Sequence, residues 1–122
     1  MRSRAEDILQ KAAAAWLDKQ GWRWCHPANE RRTSTRAGGQ LRAKGVKAGV
    51  PDILIFEPWF VLGVICCNGS GIAIELKSKA GRVDAEQQKW LTSLGHRGWR
   101  VAVCRSLKEV KEACEVLSPR SR

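Results

Sequence analysis

Ile72-Ala73-Ile74-Glu75-Leu76-Lys77 is the stretch on which the fold turns. Apolar residues at every second place predict a strand over 72–79, because successive side chains of an extended chain point to opposite faces. Ile72, Ile74 and Leu76 then share one face, and Ala73, Glu75 and Lys77 the other. An acid and a base thus project side by side from the polar face of a sheet, and a structural ion pair would account for them. Asp52 changes that balance. It opens a second apolar run, 52–57, directly after Gly49-Val50-Pro51, and proline at the start of a strand forfeits no ladder hydrogen bond. Antiparallel pairing of the two strands would set Asp52 beside Glu75, and two close carboxylates repel unless positive charge lies between them. A hard cation such as Mg²⁺ or Mn²⁺ meets that need with few protein ligands, because water supplies the rest. Lys77 would stand beside it, able to orient an attacking water or to stabilise negative charge developing on a phosphate.

Outward from these strands the pattern is helix, strands, helix, strand, helix. Ile8, Leu9, Ala12, Trp16 and Leu17 recur at helical spacing over 5–20, with Ser3 and Glu6 placed as a capping box and Gly21 as the stop. Residues 22–26 predict a short strand ending at Pro27, and 59–67 another, with Asn68-Gly69 as a turn. A helix capped by Asp84 should run to about Leu94 and close at Gly95. A core strand over 99–104 and a last helix capped by Ser106, with Leu107, Val110, Cys114 and Leu117 inward, complete the chain. That order describes one α/β domain spanning 1–122, a central mixed sheet flanked by helices.

Charge points to the partner. Twenty-two Lys and Arg against twelve Asp and Glu leave a formal +10 on 122 residues, which favours a polyanion such as DNA, duplex or branched. Residues 28–49 read as a basic, glycine-rich loop: Arg31, Arg32, Arg36, Arg42, Lys44 and Lys47 occur there among Gly38, Gly39 and Gly45, with no acid after Glu30. Residues 118–122 read as a basic tail. The apolar run 59–67 is too short to span a bilayer, and the opening residues lack a secretory leader's pattern, so no membrane and a cytoplasmic setting are expected. Five cysteines without zinc-ligand spacing suggest free, mostly buried thiols. His26, alone near tryptophans, is expected to pack rather than to act as a base.

Gly49-Val50-Pro51-Asp52 followed by Ile74-Glu75-Leu76-Lys77 resembles the signature of the PD-(D/E)XK nucleases. His26-Pro27-Ala28-Asn29-Glu30, the approach Gly45-Val46-Lys47-Ala48-Gly49, and Gly81-Arg82-Val83-Asp84-Ala85-Glu86-Gln87 narrow the resemblance to the VRR-Nuc domain, in its compact stand-alone phage and prophage form. The resemblance implies a restriction-endonuclease-like core in the order α-β-β-β-α-β-α. It implies a metal-dependent DNA nuclease, with structure-selective cutting of branched DNA such as Holliday junctions, no small-molecule cofactor, and a homodimer. Asp52, Glu75 and the Leu76 carbonyl would hold the ion, Lys77 would serve the water or the transition state, and Gln87 and Glu6 would support the site. Asn29, Glu30 and Arg31 would lie on the substrate side, and the basic loop and Arg82 would grip the DNA backbone. Gln87 could instead close its helix in a capping box, although it shares a stripe with Val83, Trp90, Leu91 and Leu94 that turns it toward the sheet. Glu6 is open to the same two roles. Trp59 and Phe60 depart from the polar hairpin expected of close relatives and suggest a dimer surface. The competing expectation is an inactive DNA-binding protein that keeps the fold.

Overall fold

The computed structural model describes residues 3–27, 35–61, 64–65 and 70–117. Helix α1, Arg4–Gln20, begins where the Ser3 hydroxyl accepts the Glu6 amide at 3.1 Å and ends at Gly21. It buries Glu6, Ala13 and Leu17, while Ile8, expected in that stripe, is 59% exposed. At 3.6 residues per turn Ile8 lies roughly 140° around the helix from Ala13, which turns it to solvent. The strand expected over 22–26 is shorter, β1, Trp24–Cys25.

Helix α2, Thr35–Ala43, corrects the loop expected over 28–49. Two interior glycines there cost about 1 kcal/mol each, which is why the composition reads as loop. The helix is stopped by a Schellman closure: Gly45 N–H donates to the Arg42 carbonyl and Val46 N–H to the Leu41 carbonyl, both at 3.0 Å, with Gly45 at φ +100°. Residues 28–34, the remaining residues of the supposed loop that precede α2, lie outside the described residues.

The main sheet has the order β1-β2-β5-β6, with β2 Ile53–Ile55, β5 Gly71–Leu76 and β6 Trp99–Cys104. β2 pairs antiparallel with both β1 and β5, whereas β6 runs parallel to β5, as a crossover through helix α3, Ala85–His96, requires. The expected single strand over 59–67 is a separate antiparallel hairpin, β3 Phe60–Val61 with β4 Val64–Ile65. The Asn68-Gly69 turn and residues 118–122 lie outside the described residues.

One face of the sheet carries Ile53, Ile55, Ile72, Ile74, Leu76 and Cys104 against Ala13 and Leu17 of α1 and against Val110, Ala113, Cys114 and Leu117 on and after helix α4, Leu107–Ala113. The other face, expected to be the polar one, is covered at β5: all six β5 residues are buried, and α3 packs over β5 and β6 through Gln87 and Leu91. Burying both faces is the usual state of a strand with a parallel neighbour and a crossover helix. β6 is an edge rather than a core strand, pairing with β5 alone among the described residues and leaving Val101 38% exposed. Helix α3 also outlasts its expected stop: Gly95 lies within it, and Arg97 is the cap.

Candidate active site

The register of β2 on β5 decides where the acids go. Ile53 faces Ile74, Leu54 faces Ala73 and Ile55 faces Ile72, so one step further along the ladder Asp52 stands opposite Glu75. Paired residues project to the same face, with Cβ atoms ordinarily about 5 Å apart. Both carboxylates are 1% exposed. The Asp52 Oδ2 atom accepts the Leu76 amide at 2.7 Å, so this acid grips the backbone of the strand that carries its partner.

Glu75 is held from the other side by α3. The Gln87 amide donates through Nε2 to Glu75 Oε2 at 3.2 Å, while its Oε1 accepts the Asp84 backbone N–H at 2.9 Å and its own N–H donates to Asp84 Oδ1 at 2.8 Å. One side chain therefore completes the capping box and also bonds the Glu75 carboxylate. Lys77 places its ammonium 3.9 Å from Glu75 Oε2, and Lys77 is only 6% exposed. The surface ion pair that the spacing alone would explain is thus a buried one, costly to desolvate and more demanding of a reason than an exposed pair.

Glu6 closes the site from α1. Its Oε2 accepts the Ser78 amide at 3.5 Å instead of returning to the helix start. A Cβ on Gly81 would lie 3.4 Å from both Glu6 Oε2 and Lys77 Cδ, so the acid and the lysine stem line one notch beside that glycine. Asp52, Glu75, Leu76, Lys77, Gln87 and Glu6 are in this way drawn from separate segments of the chain to one end of the sheet.

The approach to Asp52 is fastened to the same helix as Glu75. Trp90 Nε1 donates to the Ala48 carbonyl at 3.1 Å, and Gly49, at φ +82°, is pressed against α3 so closely that a Cβ would meet Glu86 C at 2.7 Å and Gln87 N at 2.9 Å. Arg42, Lys44 and Lys47, all exposed, occupy the end of α2 and the few residues before this contact, and Arg82 is exposed just ahead of α3. Arg36 lies within α2, and Asn29, Arg31 and Arg32 fall outside the described residues.

Two contacts at the site escaped the sequence. His26 Nδ1 lies 2.6 Å from the Asp52 carbonyl oxygen, to which it donates, and so steadies the backbone of that acid from β1. Arg105 bonds the turn after β5 and has no sequence signal at all, since only the parallel register of β6 brings it there. The thiols stand apart from the chemistry. Burial, with a smaller push from neighbouring carboxylates, raises Cys104 to about 12, and burial raises Cys114 to about 12 as well. Cys25 is exposed, and Cys66 and Cys67 lie outside the described residues.

The donors fit a hard dication. Among the described residues no group of three or more His, Cys, Asp or Glu side chains is gathered to hold a metal. Two buried carboxylates paired by register offer instead the hard oxygen donors that Mg²⁺ or Mn²⁺ accepts, with water completing the shell.

Residues 4–108 match the model of the VRR-NUC domain family, and the chain belongs to that family. Two similar solved structures are described as "VRR_NUC domain protein" and "VRR_NUC domain". The first is 19% identical with a TM-score of 0.69, over 93% of this chain and 88% of its own. The second is 24% identical with a TM-score of 0.58, over 93% of this chain and 97% of its own. At these identities the likeness shows the fold, a mixed α/β sheet flanked by helices, which is consistent with the PD-(D/E)XK core of the family. No curated protein matches the chain. Family and fold together make this a nuclease-type domain acting on DNA, a hydrolase of a class that generally uses divalent metal ions. None of the described helices is long and apolar enough to cross a membrane.

Proposed function

We propose that the chain is a divalent-metal-dependent DNA nuclease that hydrolyses phosphodiester bonds, selective for branched DNA such as Holliday junctions and working as a homodimer with Mg²⁺ or Mn²⁺ in the cytoplasm of a bacterial or phage-infected cell. The observation that supports the metal-dependent hydrolysis is the pair of buried carboxylates, Asp52 and Glu75, set opposite each other across β2 and β5 with the Lys77 ammonium beside them. Junction selectivity, the dimer and the bacterial or phage-infected setting follow from the family resemblance alone. A protein that only bound DNA would have no use for so costly a burial of charge.

Asp52, Glu75 and the Leu76 carbonyl would hold the ion. When bound, the ion supplies Lewis-acid polarisation of the phosphate and a more acidic attacking water. Lys77 orients that water or stabilises the charge that grows on the phosphate oxygens. Gln87 fixes the rotamer of Glu75, and Glu6 fixes the turn that follows Lys77. Arg42, Lys44, Lys47 and Arg82 offer exposed charge to the backbone on either side, with Arg31, Arg32, Arg36 and Asn29 as further contacts.

The test is cleavage of duplex and four-way-junction DNA in Mn²⁺, Mg²⁺ or EDTA by the wild type and by Asp52→Ala and Lys77→Ala. Metal-dependent cutting of the junction that both substitutions abolish is the expected result. Equal cutting by all three would mean a contaminating nuclease, and binding without cutting would make the chain an inactive DNA-binding relative. Sedimentation of the same samples reads the dimer.

A further inference from the structure

We infer that Arg105 is a positioning residue of this site, one that sets Lys77 and Glu6 by clamping the turn after β5. The role rests on the nuclease reading above. Register puts Arg105 there: Leu76 pairs with Cys104, so the next residues, Lys77 and Arg105, leave the sheet side by side. Lys77 N–H still donates to the Cys104 carbonyl at 3.0 Å, the last rung of the ladder. Beyond it the chain turns at 78–81, and Arg105 takes over from the sheet. Its Nη1 donates to the Ser78 carbonyl at 2.7 Å and the Gly81 carbonyl at 2.6 Å, with the Lys79 carbonyl at 3.4 Å between them.

The other bonds at that turn are weaker holds. Gly81 N–H closes it on the Ser78 carbonyl at 3.1 Å, and the Ser78 amide reaches Glu6 only at 3.5 Å. Nη1 carries two hydrogens, one for each of the two short bonds to Ser78 and Gly81, and the planar guanidinium fixes both directions, which a rotating ammonium does not. Arg105 is anchored in its turn, since its own N–H donates to Glu109 Oε1 at 2.6 Å in the first turn of α4. The clamp therefore ties the turn to β6 and α4, and through it holds the Lys77 stem and the Glu6 carboxylate that flank Gly81. With Nη1 committed to backbone carbonyls, its main task is geometry rather than grip on DNA.

The experiment compares wild type, Arg105→Ala and Arg105→Lys, as full-length chains, in junction cleavage with Mn²⁺, in DNA binding in EDTA, and in amide hydrogen exchange. Arg105→Ala should lower kcat on the order of 10-fold to 100-fold, the range usual for residues that orient a metal site. KM for DNA and affinity in EDTA should hold, while the amides of 77–82 exchange faster and those of β5 and β6 keep their protection. Arg105→Lys should recover part of kcat and part of the protection. A rise in KM with unchanged kcat would make Arg105 a phosphate contact and overturn the inference, as would unaltered exchange over 77–82 in Arg105→Ala. Loss of protection throughout the sheet in both variants would make it a stability residue and overturn it too. Absence of cleavage by the wild type would strike at the proposed function instead, and the exchange data would still decide whether the clamp exists.

Discussion

Gly49 and Gly45 form a matched pair for separating backbone strain from packing. Both have positive φ, +82° and +100°, but a Cβ at Gly45 meets nothing within 4 Å, whereas at Gly49 it would lie 2.7 Å from Glu86 C, 2.8 Å from Glu86 Cβ and 2.9 Å from Gln87 N. Alanine at either place incurs about 1–2 kcal/mol for a left-handed L-residue. The loss of chain freedom in the unfolded state offsets about 0.4–1 kcal/mol of it. Gly45→Ala should therefore cost about 1 kcal/mol. Gly49→Ala adds an overpacking term of about 1–3 kcal/mol, because the atoms in its way are largely backbone and cannot swing aside. Its total is about 2–4 kcal/mol. Urea unfolding of both variants, compared by midpoint at unchanged slope, measures the difference. The start of α3 carries Gln87, so Gly49→Ala should also slow cleavage in samples that remain folded, while Gly45→Ala leaves the rate intact. Equal destabilisation of the two variants would refute the packing of the Gly49 approach against α3.

Gln87→Leu removes the amide bond to Glu75 and half of the capping box, and should destabilise the protein by about 2–4 kcal/mol, since a buried carboxylate loses a donor and a helix start loses an acceptor. Its kcat should fall more than its KM rises in a cleavage assay. Neutralising Arg42, Lys44 and Lys47 together should flatten the dependence of log DNA affinity on log salt by about 0.9 for each phosphate that these side chains neutralise; an unaltered slope would place the DNA elsewhere. Cys104 and Cys114 ionise in the unfolded chain near 9.0 and in the folded chain only at about 12. Their contribution to stability is thus complete below pH 9 and disappears as pH rises toward 12. Urea midpoints should fall across that window, less steeply in Cys114→Ala.

The strand carrying Glu75 and Lys77 is written plainly in its alternation, and Asp52, directly after Pro51, marks the start of the partner strand and suggests the antiparallel pairing. Both helix starts at Ser3 and Asp84 are legible for the same local reason, a hydroxyl or carboxylate that satisfies the first amides. What stays hidden depends on contacts between distant segments. Gly38 and Gly39 mask α2, and Gly45 reads as one more loop glycine because its part in a helix closure is visible only through the bonds of Leu41 and Arg42. The apolar character of 59–67, broken only by Gly63, conceals that Phe60–Val61 pair antiparallel with Val64–Ile65. The stripe of α3 announces a helix laid on the sheet, but that it buries the polar side of β5 completely follows only from the packing. Arg105 acts on main-chain oxygens, which have no identity in a sequence, so no motif could announce it. His26 opens one of the family-like segments, but nothing there tells that its ring bonds the Asp52 carbonyl.

The grip of Asp52 on the Leu76 amide also makes catalysis a report on strand alignment. Side chains of a strand alternate, so a slip of β2 by one residue would drive Asp52 into the oily layer beneath α1 and α4 and turn Ile53 and Ile55 outward. A misaligned molecule would be both unstable and inert. Preparations of this protein should therefore hold competent molecules and unfolded ones, with few well-packed but silent copies between them, and counting sites by metal or substrate titration should count folded chains.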